Sequence, residues 1–327
     1  MKVLLTGGNG FVGSHVLDQL LAQGIPTVVL LRAASDRQFI ANQLSRVEVR
    51  TGGMDQPEAL AAALAGVTHV VHCAGATKAL DAAGFFAANQ QGTRQLVEAV
   101  NRCGPRIQRF VHVSSLAVAG PHTPDEPARE NQPPRPVSDY GRSKLAAEQE
   151  VMTHCTTDWV ILRPPAVYGP RDREFLRLFK AVNAHLRPQF GGGRQFLSLV
   201  HVADLARVIV AVLIEPRARR KVFFVGSPEV VTAAELARRM ATELGTWTIP
   251  LPLPRVVLWL ACQWADWRAR RTRRPSVLNA QKFAELNAPG WVCDVARLKA
   301  ELDLECATPL RDGVVDTLRW YREHGWL

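Results

Sequence analysis

Tyr140 and Lys144 stand four residues apart in the run Tyr140-Gly141-Arg142-Ser143-Lys144, and a serine pair, Ser114-Ser115, lies upstream. On a helix over 140–155 that spacing puts a phenol and an ammonium on one face, one turn apart. A free tyrosine ionises near pH ~10 and is a poor base in neutral water. A fixed cation beside it would bring the phenol into a working range for proton transfer, and a serine hydroxyl could steady the oxygen that exchanges the proton. The same spacing also describes a solvated helical pair, so the chemistry depends on what the chain assembles around it.

That setting begins at the first residues. Lys2–Thr6 reads as an apolar strand, and Thr6-Gly7-Gly8-Asn9-Gly10-Phe11-Val12-Gly13 leads from it into an apolar-periodic helix ending near Gln23. Gly7 permits the tight turn, Gly10 lets backbone N–H groups approach a pyrophosphate, and Gly13 lets helix and strand pack closely, with Phe11 and Val12 in the turn that faces the ligand. A dinucleotide is therefore expected, and its pyridinium would add to the charge acting on Tyr140. The second strand, Thr27–Leu31, is followed by Arg32, which can pair with a 2′-phosphate where an acidic residue would bond a ribose hydroxyl. NADP(H) is favoured on that ground, and Asp36 leaves NAD(H) open.

Further short strands are read at 47–50, 67–73, 109–114 and 159–162, alternating with helices at 57–65 and 85–103. That alternation requires a parallel sheet covered on both faces, so the fold class is α/β, a Rossmann-type doubly wound sheet. Cys73, Ala74 and Gly75 end the fourth strand as a small-residue wall against the cofactor. His72 on that buried strand reads as a satisfied structural group. Ser114 and Ser115 end the fifth strand, where ligands of such sheets sit, although either could merely cap the next turn. The chain is expected to leave the nucleotide domain, residues 1–170, at the proline-rich run 163–170. It would return at about 195–227, through a strand at 195–200, a helix at 202–213 and a strand at 221–224. Residues 171–194 and 228–327 would form a smaller, mainly helical substrate lobe.

Together these residues resemble the extended short-chain dehydrogenases/reductases, the NAD-dependent epimerase/dehydratase superfamily, across essentially the whole chain. The motifs are the glycine loop at 6–13, Asn89 with Gly92-Thr93, the Ser115 region, Tyr140-x-x-x-Lys144, Arg163-Pro164 to Gly169, and His201-Val202-x-Asp204. The resemblance implies that Ser115 orients the substrate oxygen, Tyr140 exchanges the proton, and Lys144 binds the nicotinamide ribose and lowers the tyrosine pKa. It also implies that Asn89 belongs to the cofactor site and that Pro164 and Val167 lie against the nicotinamide. Ala119 stands where sugar-nucleotide enzymes usually carry tyrosine, so the run 114–121 looks more like the 3β-hydroxysteroid dehydrogenase and ketone reductase branch. Leu116 and Ala117 stand where dehydratases need an acidic pair. Gly53 replaces an aspartate that contacts adenine in relatives, which puts adenine recognition in doubt.

Hydride transfer between nicotinamide and a secondary alcohol or ketone of an apolar, sterol-like or lipid-like molecule is the expected activity. A sugar-nucleotide 4-epimerase with the same residues, and a non-catalytic nucleotide-binding subunit, are the alternatives. The 327 residues carry a net charge of +10, much of it in arginine clusters at 217–221 and 268–274, without the interleaved aromatic and glycine positions of a nucleic-acid surface. Nucleic acid is thus not an expected partner. Six scattered cysteines show no metal spacing, and the N-terminus lacks a signal-peptide pattern, so a reduced, cytoplasmic setting is expected. The Trp- and Arg-rich segment 256–274 is too short to span a bilayer. It could pack on the nucleotide domain, cover a hydrophobic substrate, or lie peripherally on the inner face of a membrane. The helices at 85–103 and 140–155 commonly form a homodimer in relatives.

Overall fold

The computed structural model describes residues 1–189, 194–273 and 280–327. Its strands are β1 (Val3–Thr6), β2 (Thr27–Leu31), β3 (Glu48–Thr51), β4 (His69–His72), β5 (Arg109–Val113), β6 (Trp159–Arg163), β7 (Ala166–Tyr168), β8 (Leu186–Gln189), β9 (Phe196–His201), β10 (Lys221–Phe224), β11 (Val230–Thr232), β12 (Ile249–Pro252) and β13 (Gly290–Trp291). The main sheet runs β10-β6-β5-β4-β1-β2-β3 with every neighbour parallel. Strand order therefore reverses between β1 and β4. Their carboxyl ends part there and leave the crevice in which such sheets bind ligands.

Alternation along each strand assigns the two faces. Val29 and Leu31 of β2 join one core, while Val28 and Leu30 join the other. The first core is closed by α1 (Phe11–Ala22), through Val16, Leu17 and Leu20, and by α7 (Val202–Ala211), through Leu205, Val208 and Ile209. The second is closed by α2 (Pro57–Leu64), α4 (Gly92–Arg102) and α5 (Asp139–His154). Each of these fully buried aliphatic side chains stabilises the fold by about 1.5–3 kcal/mol relative to exposure.

Two expectations change. The helix over 85–103 is divided into α3 (Ala82–Phe86), a π-helical turn at Ala87–Gln91, and α4. In the proline-rich run after β6, the short strand β7 forms outside the main sheet and pairs with β9. The strand expected at 195–200 forms as β9 but does not return to the main sheet; it joins β7, β11 and β13 in a second sheet. A short apolar run is silent about which sheet takes it up. The C-terminal region is mostly helical, with α6 (Arg173–Asn183), α8 (Ala233–Leu244), α9 (Arg255–Thr272), α10 (Ala280–Asn287), α11 (Ala296–Leu302) and α12 (Leu310–Glu323). It also holds the pair β8 and β12, whose prolines are tolerated on so small a sheet.

The basic cluster at 217–221 is neutralised locally: Arg217 pairs with Glu215, Arg219 and Arg220 with Asp158, and Lys221 with Glu301.

Candidate active site

The crevice is floored by the first glycine turn. Gly7 has φ +70°, and a Cβ on it would lie 2.6 Å from the Ala74 amide nitrogen; a Cβ on Gly13 would lie 2.0 Å from the Gly7 oxygen. These glycines let the turn, α1 and the end of β4 close on one another. Gly10 caps α1 without any side-chain hydrogen bond, so the first-turn amides at Phe11 and Val12 face the crevice with no competing side-chain acceptor. Cys73, Ala74 and Gly75 form the facing wall, tied to β1 through the Ala74 amide and the Thr6 hydroxyl, 3.3 Å apart. An uncapped helix start opposite a wall of small residues fits a dinucleotide's pyrophosphate. The buried Ser114 hydroxyl at the end of β5, which has no partner among the described residues, is available to the same ligand.

His72 is structural as expected, its ring nitrogens bonded to the Thr6 and Thr93 hydroxyls at 2.7 and 3.0 Å. Asn89 sits at the π-helical turn and is occupied within the protein. Its amide oxygen accepts from the Ala76 amide, and its nitrogen donates to the Ala76 carbonyl and to Ser143 Oγ at 2.9 Å. It thereby latches the loop after β4 to α5, the helix that carries Tyr140.

Helix α5 begins at Ser138, whose hydroxyl accepts from the Gly141 amide, with Asp139 in the first turn and His154 in the last. Gly141 decides how close this helix comes to the end of β5, because a Cβ there would lie 2.5 Å from the Ala117 oxygen. That close approach delivers Tyr140 to Ser115. The Ser115 hydroxyl accepts from the Ala117 amide at 3.1 Å and lies near enough to the Tyr140 phenol to lower its pKa, so one oxygen both caps the turn and faces the tyrosine. Pro164 braces the turn by accepting the Leu116 amide at 2.8 Å, and Val167 is held in β7 opposite Val200.

Lys144 is buried, and its ammonium donates to the Val113 carbonyl at 2.7 Å. Burial pulls its pKa down to about 8, against the opposing pull of Glu148 one turn on. The phenol behaves differently from expectation. Burial raises the Tyr140 pKa, the Ser115 bond lowers it, and the Glu285 carboxylate of α10 raises it again. Within the protein alone the tyrosine is therefore a protonated acid, and the ionising influence has to include the positive ring of a bound cofactor.

Glu285 was missed in the sequence because it lies 145 positions after Tyr140 with no motif around it. Its negative charge opposes ionisation of the phenol, so Glu285→Gln should move the Tyr140 titration to lower pH. Phenolate absorbance across alkaline pH in the two proteins checks this; coincident curves would remove Glu285 from the site. A second surprise is at Gly53, where the missing Cβ would lie 2.2 Å from Asp55 Oδ1. A carboxylate thus occupies the space a side chain at position 53 would use.

A separate cavity of about 420 Å³ lies beside Gly226, Val292 and Cys293, away from Ser115, Tyr140 and Lys144.

Residues 3–226 match the NAD dependent epimerase/dehydratase family. The chain belongs to that family. A ceramide reductase of Caulobacter vibrioides is 31% identical over 99% of this chain and 96% of its own length. A UDP-glucose 4-epimerase of Vibrio cholerae is 29% identical over 77% of this chain and 79% of its own. Among solved structures, a UDP-glucuronic acid 4-epimerase of Bacillus cereus, in complex with UDP-glucuronic acid and NAD, superposes with a TM-score of 0.81 over 99% of this chain and 100% of that one, at 22% identity.

Family membership makes this an NAD-binding protein of an oxidoreductase and epimerase family. The expected preference for NADP is overturned: the epimerase structure holds NAD, as do further similar structures. The physical reason lies at Arg32, which is exposed at the end of β2 in a turn closed by Ser35, so its side chain is a solvated charge and not part of a built phosphate site. None of the similar proteins named here is a steroid dehydrogenase, and the family is as far as these likenesses carry the chain.

Proposed function

We propose that this protein moves a hydride between NAD and the carbinol carbon of a substrate, with Ser115, Tyr140 and Lys144 handling the proton. The observation that carries the reading is the close approach of Gly141 to the Ala117 oxygen, which sets Tyr140 beside Ser115 at the carboxyl end of the sheet, one helical turn from a buried ammonium. NAD, when bound, supplies the hydride acceptor or donor at nicotinamide C4. Tyr140 takes the hydroxyl proton as the alcohol becomes a ketone and returns it in the reverse direction. Ser115 hydrogen-bonds the same oxygen and stabilises the charge that builds on it. Lys144, fixed by Val113, supplies positive charge to the face of α5 that carries the phenol.

For the substrate we favour the ketone or alcohol of a lipid-like molecule, held by the lobe formed by 171–194 and 228–327. Two observations support it: the full-length relative named a ceramide reductase, and Leu116 and Ala117 in place of a dehydratase's acidic pair. A second reading is a nucleoside-diphosphate-sugar 4-epimerase. It is favoured by the Vibrio relative and by the larger share of nucleotide-sugar enzymes among the similar proteins, and it uses the same three side chains.

The readings separate in one assay pair. The first expects NADH oxidation that depends on an added long-chain 3-oxo amide or other apolar ketone. The second expects conversion of a UDP-sugar to its 4-epimer with NAD retained and no net redox change. Epimer formation without ketone reduction would replace the first reading by the second, and neither activity would refute both.

A further inference from the structure

Helix α9 is apolar on both sides. Leu258, Cys262 and Ala269 are buried on one side, where α9 packs on α10. Turning the helix by roughly 180° at 3.6 residues per turn brings up Val256, Val257, Leu260, Trp264 and Trp267, which are 67%, 50%, 55%, 58% and 54% exposed. Nine of the sixteen large hydrophobic residues exposed among the described ones fall within 247–267, including Trp247, Ile249 and Leu251 just before the helix. Scattered apolar exposure is ordinary, but a contiguous stripe of this kind marks a surface that something covers.

The charges around the stripe select the occupant. Arg255, Arg268, Arg271 and Arg273 are exposed at its ends, and the guanidinium groups of Arg268 and Arg271 lie over the rings of Trp264 and Trp267 at 5.5 and 5.0 Å. Asp266, the helix's one acidic residue, sits toward the buried side. A second copy of this chain laid on the stripe would bring the arginines of α9 against arginines with no outward α9 carboxylate to answer them. An anionic bilayer answers them with lipid phosphates, takes the aliphatic side chains into its acyl boundary, and seats tryptophan at headgroup depth. No described helix is long and apolar enough to cross a membrane, so α9 would lie in the surface.

We propose that α9 docks the protein flat onto an anionic phospholipid membrane, its outer stripe immersed and its arginines at the phosphate level. The face that in a free surface-seeking helix would be polar is here the face packed on α10. The inference does not depend on which substrate is turned over, and its test involves no turnover.

Flotation of the full-length protein with phosphatidylcholine vesicles, with and without phosphatidylglycerol, tests it. The wild type should float with the anionic vesicles and remain behind with the neutral ones, and added salt should weaken the binding. Arg268→Glu with Arg271→Glu should weaken it on the order of 25-fold or more, about fivefold for each arginine lost. Trp264→Ala with Trp267→Ala should also lose binding, while both double variants keep NAD affinity, which checks their folding. The proposal is overturned if the wild type stays unbound on anionic vesicles, or if both variants float like the wild type. It is equally overturned if the wild type ignores vesicles and forms an oligomer that the tryptophan variant dissociates, since a second copy would then be the occupant.

Discussion

Tyr140→Phe should lower turnover by roughly a thousandfold while leaving NAD affinity essentially unchanged. The substitution removes one oxygen and nothing else. The ring keeps its place beside Phe85, whose centroid lies 6.1 Å away, and Gly141 still lets α5 approach the end of β5. What disappears is the phenol hydroxyl beside Ser115 that would pass a proton to or from substrate. Ser115 keeps its bond from the Ala117 amide, so the turn should remain folded. Rates with an accepted substrate, set beside NAD binding by fluorescence titration, provide the check. Retained turnover would mean that another group moves the proton.

The second large effect concerns stability. Glu148 and Arg163 form a fully buried two-point ion pair, with Nε donating to Oε1 at 2.9 Å and an Nη donating to Oε2 at 2.6 Å, and the guanidinium lies over the Phe224 ring. This pair joins α5 to β6, and so holds the helix of Tyr140 against the sheet. Glu148→Ala would leave Arg163 charged, buried and unanswered, a defect that costs about 3–5 kcal/mol. For a chain of this size a fall of about 10 °C in melting temperature is expected. Glu148→Met with Arg163→Met should recover much of the loss, because no lone charge remains. A single variant within about 1 kcal/mol of the wild type would show that the arginine finds water or another partner. Glu148 also holds up the Lys144 pKa, so the same variant should titrate Lys144 below its present value of about 8.

Much of this arrangement could be read from the chain before any coordinates. Gly7, Gly10 and Gly13 announce a turn in which side chains have no room, and the Cβ distances at Gly7 and Gly13 show that directly. The central strands of the main sheet were legible because they are short apolar runs bounded by turn residues, and parallel strands buried on both faces need little else. Less local features were not. The sequence around Asn89 reads as one helix, and the extra residue of the π-helical turn has no compositional mark. The strand character of β9 was visible, but its partners β7, β11 and β13 come from distant segments. In the sequence Gly141 stands only as spacing between Tyr140 and Lys144, although the Ala117 oxygen makes glycine necessary there. Glu285 acts on the site through a fold contact, and no periodicity encodes that. Arg32 misled because a residue type at a strand end does not show whether its side chain is held or solvated.

The central claim is that Tyr140 is a proton donor and acceptor whose ionisation is governed by Ser115 and by bound NAD. The chain has three tyrosines; burial raises all three, Tyr168 and Tyr321 far above the ordinary phenol range, and Tyr140 is the one that stands beside Ser115 and one helical turn from Lys144. Phenolate absorbance should therefore be titrated in the wild type and in Tyr140→Phe, each with and without NAD⁺. The account predicts one phenol whose titration moves to clearly lower pH with NAD⁺ and which is missing from the variant. A wild-type curve that NAD⁺ leaves in place, or a shift that survives in Tyr140→Phe, would contradict it.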